Sequence, residues 1–251
     1  MDYFGIRKMK VILTKKDICK GNLILINSDN LLKNAIDVNE LEEYNETFNN
    51  ILYNKNSNKY LQFVLSEISA GNKIVPVSGY RTLKEQEKIF NDSLIESGEE
   101  FTRKYVALPN ASEHQTGLAI DLGLNQGEID FIRPSFPHNG VCENFRKIAI
   151  KYGFIERYKK EKESITKISA EEWHFRFVGY PHSEFIENNN ICLEEYIDLL
   201  KKEKLIYKDY EISYIPYLDK EIELELNSHD YISGNNIDGF ILTRKIENEI
   251  D

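Results

Sequence analysis

Apolar side chains recur at helical spacing in four stretches of the chain. In the first stretch, Leu61, Val64 and Ile68 fall on one helix face. In the second, Thr82 and Glu85 have the spacing of a capping box, which marks the start of a helix. The pattern predicts helices over 57–71, 82–97, 143–152 and 192–203.

Alternation of apolar and polar residues indicates strands between and after these helices. The runs KIVPVSGY, LAIDLGL and WHFRFVG alternate or are continuously apolar, as buried strands are. From about residue 205 the runs YEISYIPY, EIELEL and FILTRKI alternate with turn residues between them. The chain is therefore predicted to be an α+β protein, with a main domain at 1–204 and a β-rich C-terminal appendage at 205–251.

Composition narrows the class of protein. The 251 residues carry a formal net charge of −10, which disfavours a nucleic-acid or anionic-membrane partner. The cysteines, Cys19, Cys142 and Cys192, form no CxxC pair, so reduced thiols are expected. The N-terminus lacks a signal-peptide pattern and no run is long enough to span a membrane. We therefore expect a cytoplasmic protein, and the oligomeric state is left open.

The stretch SEHQTGLAID contains a histidine and an aspartate seven residues apart. On one uninterrupted strand His114 and Asp121 would point to opposite faces, because their separation is odd. Gly117 can supply a bend that brings both side chains to one side. A carboxylate in the apolar run LAIDLGL is costly to bury unless a cation compensates it. The stretch thus indicates a cation site, although the same spacing also arises by chance.

A third candidate ligand lies in EEWHFRFVG. There His174 and Arg176 alternate with aromatic residues along a predicted strand. Two imidazoles and one carboxylate make three zinc ligands, and a catalytic zinc keeps its fourth position open. A neighbouring carboxylate can act as general base. Regular strand geometry favours Glu172, which shares a face with His174, whereas Glu171 needs a bend, and the spacing leaves that choice open.

Three motifs together carry a resemblance to a known family. SEHQTGLAID fits SxHxxGxAxD, EEWH fits ExWH, and SGYRTLKEQ fits the element SGYRsxxxQ, in the expected order. The chain resembles the zinc D,D-peptidases of the VanY/VanX group over about residues 60–200. In type it is most similar to the bifunctional VanXY enzymes, particularly the longer, VanG-associated kind.

The resemblance implies a zinc site and its catalytic base. His114, Asp121 and His174 match the zinc ligands of the family, and Glu171 matches the base that activates a water molecule. The resemblance also implies that the sheet that carries the zinc site is small and antiparallel. The choice between Glu171 and Glu172 is thus made by resemblance and not by geometry.

The resemblance also implies three residues that act on the substrate. Arg81 matches the arginine that polarises the scissile carbonyl or stabilises its oxyanion. Gln86 and Ser112 match positions that hold the short peptide, including its terminal carboxylate. Without the resemblance, Arg81 would be interpreted as the partner of a surface acid. Gln86 would be interpreted as a solvated helix residue and Ser112 as the cap of a turn.

The activity implied by the resemblance is release of D-alanine, with a role in vancomycin resistance. The expected substrates are the D-Ala-D-Ala dipeptide and soluble cell-wall precursors such as UDP-MurNAc-pentapeptide. Two alternatives stay open: an L,D-carboxypeptidase or endolysin-like L-Ala-D-Glu peptidase, and a zinc-containing peptide-binding module that does not catalyse a reaction. The β-rich C-terminus is expected to shield a sheet edge, mediate dimerisation or narrow the cleft.

Overall fold

A computed structural model describes residues 8–246 of the chain. The first seven residues, which contribute to the expectation that there is no signal sequence, lie outside this range. Within it the chain forms two compact units, one of residues 26–194 and one built from residues 8–25 and 195–246. The predicted motifs all fall in the larger unit.

Helices form in all four places where apolar spacing predicts them. They are numbered α1 to α6 in chain order and span Lys55–Glu67, Leu83–Tyr105, Gly140–Ala149, Glu163–Thr166, His182–Asn188 and Leu193–Lys202. Among the described helices, none combines the length and the apolar character needed to cross a lipid bilayer.

Two helices differ from the prediction at their ends, for identifiable reasons. α1 begins before Ser57 because the side chain of Asn54 accepts the backbone N–H groups of Asn56 and Ser57. α2 has the predicted capping box at its start, but it extends beyond the predicted end. There the backbone kinks at Gly98 (φ 81°) and a second helical segment follows.

The strands are numbered β1 to β12 in chain order. They span Met9–Leu13, Leu41–Glu43, Leu52–Asn54, Ile74–Ser78, Ala119–Leu124, Phe154–Tyr158, Glu171–Phe177, Leu205–Tyr207, Tyr210–Pro216, Ile222–Leu226, Tyr231–Gly234 and Gly239–Lys245. The α+β class predicted from the sequence is confirmed.

The larger unit is built around an antiparallel sheet with strand order β4-β5-β7-β6. One face of β7 packs against helices: Phe175 lies 4.9 Å from Phe145 of α3, and Phe177 stacks at 5.7 Å on Tyr60 of α1, both measured between ring centroids. This leaves the opposite face of β5 and β7, with Asp121 directly across from His174, for polar side chains.

The smaller unit is built from an N-terminal and a C-terminal segment of the described chain. β1 pairs antiparallel with β10, and a separate antiparallel sheet has the order β11-β12-β9-β8. Leu13 and Ile18 share a buried cluster with Phe240 of β12. The alternating C-terminal strands were predicted, but the partnership of residues 8–25 with them was not. The smaller unit thus contains residues 8–25 and 195–204 as well as the predicted C-terminal strands, and β10 takes its strand partner from the N-terminal segment.

Candidate metal centre and substrate cavity

The three predicted metal ligands converge on one buried point. The candidate ligand atoms of His114, Asp121 and His174 all lie within 4.8 Å of one another, and all three residues are buried. His114 Nε2 lies 3.1 Å from Asp121 Oδ2, and His174 Nδ1 lies 3.0 Å from Asp121 Oδ1. Two imidazoles and one carboxylate are a donor set that suits a zinc ion with an open fourth position.

A short turn, and not a continuous strand, brings His114 to the aspartate. His114 lies in a 3₁₀ turn spanning Glu113–Thr116, which ends at Gly117 in the left-handed conformation (φ 68°). The chain then enters β5, which presents Asp121 opposite His174 of β7. The predicted bend at Gly117 is therefore present, and it allows residues seven apart to meet at one site.

We expect Gly117→Ala to lower the free energy of unfolding of the larger unit. A left-handed L-residue costs about 1–2 kcal/mol. In addition, the new Cβ would lie 2.8 Å from Leu41 Cδ2, and crowding of this kind costs about 1–3 kcal/mol. Gly71→Ala is the matched control, since Gly71 has a similar φ of 58° and no atom within 4 Å of an added Cβ.

The measurement is urea unfolding followed by fluorescence of the single tryptophan, Trp173, which lies in the larger unit. Gly117→Ala should lose more stability than Gly71→Ala. Equal losses would mean that close packing around Gly117 contributes nothing.

Outer contacts determine which nitrogen each histidine turns to the centre. His114 Nδ1 lies 2.7 Å from the carbonyl oxygen of Gly79, to which it can donate, leaving Nε2 to bind a metal. His174 is turned the other way: Nδ1 faces Asp121, and Nε2 lies 3.6 Å from Glu113 Oε2. Glu113 was not singled out from the sequence, although it directly precedes a candidate ligand.

The buried charges act differently on the two histidines. Burial lowers the pKa of His114 to about 4, and the Arg81 cation acts in the same direction. Burial also opposes protonation of His174, but the neighbouring carboxylates of Asp121 and Glu113 outweigh it and raise its pKa to about 9. The negative charge of the site is therefore concentrated around His174.

The two neighbouring glutamates of EEWH occupy different environments. Glu171 lines the cavity, with Oε2 3.8 Å from His174 Nδ1, whereas the Glu172 side chain is 52% exposed and lies 3.9 Å from His138. The reason is an irregularity in the pairing of β6 with β7: Glu156 pairs with Phe175, but Tyr158 pairs with Glu171. This irregularity places Glu171 beside His174, where a regular strand would place Glu172.

Arg81 points at the centre from the loop that follows β4. Its Nη2 donates to Asp121 Oδ2 at 2.9 Å and its Nε donates to Ser78 Oγ at 2.9 Å. Its partner is thus the buried Asp121 and not a surface acid. The guanidinium is held by two contacts, yet it still lines the cavity.

Ser112 and Gln86 line the same cavity but are held differently. Ser112 is 3% exposed, and its side chain makes no capping hydrogen bond at the 3₁₀ turn that it precedes. Gln86 is 1% exposed, so it is not a solvated helix residue, and its Nε2 donates to the carbonyl oxygen of Ala107 at 2.8 Å. Ser112 therefore lines the cavity without capping the turn, while Gln86 fixes the loop at Ala107.

A cavity of about 190 Å³ opens over these residues. Burial raises the pKa of Glu171 to about 8, in spite of the opposing attraction of His174, so its carboxyl group can both hold and release a proton near neutral pH. Apolar and aromatic side chains that the sequence did not single out form the rest of the wall: Ile89, Tyr105, Val106, Phe131, Ile132, Tyr158, Ile168 and Trp173. The cavity suits a small, partly apolar ligand with charged ends.

An antiparallel sheet with two histidines, one aspartate and a buried glutamate at a single cavity defines the chain as a zinc metallopeptidase. Residues 36–180 match the VanY family, described as D-alanyl-D-alanine carboxypeptidase. The chain belongs to this family.

Two similar proteins are a bifunctional dipeptidase and carboxypeptidase and a vancomycin-resistance dipeptidase. The bifunctional D-Ala-D-Ala dipeptidase and D-Ala-D-Ala carboxypeptidase VanXYC of Enterococcus gallinarum is 50% identical over 125 residues, which cover 49% of this chain and 66% of that protein. The crystal structure of the D,D-dipeptidase VanXYg with a D-Ala-D-Ala phosphinate analogue has a TM-score of 0.89 and 47% identity, covering 94% of this chain and 98% of that one.

A third similar protein was solved with its metal. The vancomycin-resistance D,D-pentapeptidase VanY from a VanB-type cassette, in complex with Zn(II), has a TM-score of 0.57 and 28% identity, and the match covers 70% of this chain and 98% of that one. Zinc is accordingly the metal of this fold, and the ligand set described above fits it.

Proposed function

We propose that this chain hydrolyses the D-Ala-D-Ala dipeptide and removes the terminal D-alanine of soluble peptidoglycan precursors such as UDP-MurNAc-pentapeptide. The proposed compartment is the cytoplasm, and the proposed role is in vancomycin resistance. One observation carries the proposal: a buried acid–base carboxyl group and a guanidinium line one small cavity beside a three-ligand metal site. VanXYC and VanXYg, the similar proteins named above, act on or bind D-Ala-D-Ala or its analogue.

The metal would be held by His114, Asp121 and His174, and when bound it polarises a carbonyl group and lowers the pKa of a water molecule. In the proposed reaction Glu171 accepts a proton from the attacking water and later donates it to the leaving amine. Burial supports this role, because it raises the pKa of Glu171 to about 8 and so favours the protonated form once the proton has been taken.

The remaining residues are proposed to orient the peptide. Arg81 stabilises the oxyanion that develops at the scissile carbonyl, since its fixed guanidinium lines the cavity. Ser112 donates its hydroxyl hydrogen to the substrate, and Gln86 acts by holding the wall at Ala107. The apolar walls accept the methyl groups of the two D-alanines.

The test is D-alanine release from D-Ala-D-Ala and from UDP-MurNAc-pentapeptide, with zinc-loaded and chelator-treated protein side by side. Zinc-dependent release from both is expected. Cleavage of only L,D- or L-Ala-D-Glu-linked peptides would replace the proposal with one of those activities, and zinc binding without cleavage of any peptide would identify a binding module.

We expect Arg81→Lys to lower kcat by about 10²–10³-fold, the usual loss when one oxyanion donor is removed. Lysine keeps the positive charge but not the fork that spans Ser78 and Asp121. Steady-state kinetics and zinc content are measured together, with Arg244→Lys in the smaller unit as the matched control. An Arg81→Lys enzyme with unchanged kcat would remove Arg81 from the mechanism.

A further inference from the structure

The residue before the first histidine ligand is a buried carboxylate that the proposed reaction does not use. Glu113 has a fully buried side chain, at 0% exposure, and lies between two arginines and the ring of His174. We propose that Glu113 is a positioning residue for the metal: it accepts a hydrogen bond from His174 Nε2 and so directs His174 Nδ1 to the ion. The inference rests on the metal site of the proposed function, not on its substrate.

The two carboxylate oxygens of Glu113 have different surroundings. Oε1 lies 2.9 Å from Arg157 Nε and 3.0 Å from Arg176 Nη1. Among the described residues, Oε2 has no hydrogen-bond partner, and neither does the buried His174 Nε2, which lies 3.6 Å away. Buried polar atoms nearly always find partners. A small movement of the His174 ring toward Glu113 would satisfy both atoms.

Ion pairs on the side away from His174 fix the position of Glu113. The side chain of Arg157 is fully buried. It donates two hydrogen bonds, of 2.9 and 2.8 Å, to Glu194 of α6, and its Nε donates to Glu113. Two guanidinium groups lie against Oε1, so the negative charge of the buried Glu113 carboxylate is compensated. Glu113 is therefore a charged acceptor whose position is set by a rigid ion network.

Neutralising the two arginines does not explain this arrangement. If Glu113 served only to pair with the arginines, both of its oxygens would be expected to contact guanidinium groups. Glu194 pairs with Arg157 in this way, through both oxygens. Instead one oxygen faces the outer nitrogen of a metal ligand. A carboxylate there fixes the ring tautomer and raises the basicity of the coordinating nitrogen. His114, by contrast, has a neutral group, the carbonyl of Gly79, as the outer partner of its Nδ1.

The test is the zinc affinity of Glu113→Gln, measured by competition with a chromophoric chelator and without substrate. Loss of an outer partner of a ligand costs about 10–100-fold in metal affinity, and we expect a loss in that range. Glu194→Gln is the matched control: it also removes one negative charge from Arg157, yet Glu194 is not in contact with His174 through any described hydrogen bond or ion pair. Its zinc affinity should match that of the unmodified protein.

Equal losses of zinc affinity in the two variants would overturn the proposal, because Glu113 would then act only through the stability of the ion network. Unchanged affinity in Glu113→Gln would overturn it as well. If Glu113→Gln does not fold, ¹⁵N NMR of the histidine rings in the zinc-loaded native protein decides the question. His174 is expected to carry a slowly exchanging proton on Nε2, and an unprotonated or freely exchanging Nε2 would refute the proposed hydrogen bond.

These measurements are independent of peptide hydrolysis. A protein with the expected zinc affinities and ring protonation, but with no activity on any peptide, would refute the proposed function and leave the role of Glu113 intact. Activity on D-Ala-D-Ala, together with equal zinc affinities in the two variants, would support the proposed function and refute the role of Glu113.

Discussion

Glu171→Gln is expected to lower kcat for D-alanine release by about 10²–10⁴-fold, the usual contribution of a general acid–base group. Glutamine has the same size but cannot accept and return a proton. The candidate ligands His114, Asp121 and His174 are unchanged, so zinc should remain bound at one equivalent. The measurements are steady-state kinetics on D-Ala-D-Ala and the zinc content of the purified variant.

Glu172→Gln is the matched control, because it removes a carboxylate from the adjacent position of the same strand. Glu172 is exposed and faces His138 instead of the cavity, so its variant should keep normal kcat. A large loss in Glu172→Gln together with an active Glu171→Gln would reverse the assignment. The strand irregularity at Tyr158 would then not determine which glutamate acts.

Asp121→Asn is expected to weaken zinc binding severely and to remove turnover at zinc concentrations that saturate the native protein. Asp121 is the anionic member of the proposed ligand set, and burial opposes its ionisation, but His114 and His174 hold its pKa well below the usual range. Asparagine removes this charge while leaving Arg81 beside the site. The loss of zinc affinity should exceed the ~10–100-fold that follows removal of an outer partner.

Zinc titration and kinetics check this expectation, with Asp92→Asn on the surface of α2 as the control. An Asp121→Asn variant that binds zinc and releases D-alanine normally would exclude Asp121 as a ligand. Addition of excess zinc to Asp121→Asn should restore activity only at concentrations far above those that the native protein needs.

The sequence predicts those features that depend on local chemistry. The capping box at Thr82 and the bend at Gly117 follow from the preferences of single residues, and both are present. The resemblance supplied the ligand set His114, Asp121 and His174, and the structure brings these side chains together. The predicted ends of α1 and α2 were less accurate. Apolar periodicity does not take account of the cap at Asn54 or of the kink at Gly98.

Features that depend on contacts distant in sequence were not predicted. The pairing of β1 with β10 joins segments more than 200 residues apart, and no local pattern indicates it. The strand irregularity at Tyr158 is visible only once β6 lies beside β7. Glu113 looks like an ordinary exposed acid in the sequence, since its partners Arg157 and Arg176 come from two different strands.

Because Asp121 on β5 lies directly opposite His174 on β7, a metal held by both would be a crosslink between neighbouring strands. A slip of one residue between these strands would turn one of the two side chains to the helix-packed face and divide the ligand set. Zinc would therefore bind the correctly registered sheet and not its slipped alternatives. A ligand that binds only the native state stabilises it by about 2.7 kcal/mol at about 100 times its Kd, so zinc supply would influence how much of the chain is folded as well as how much is active.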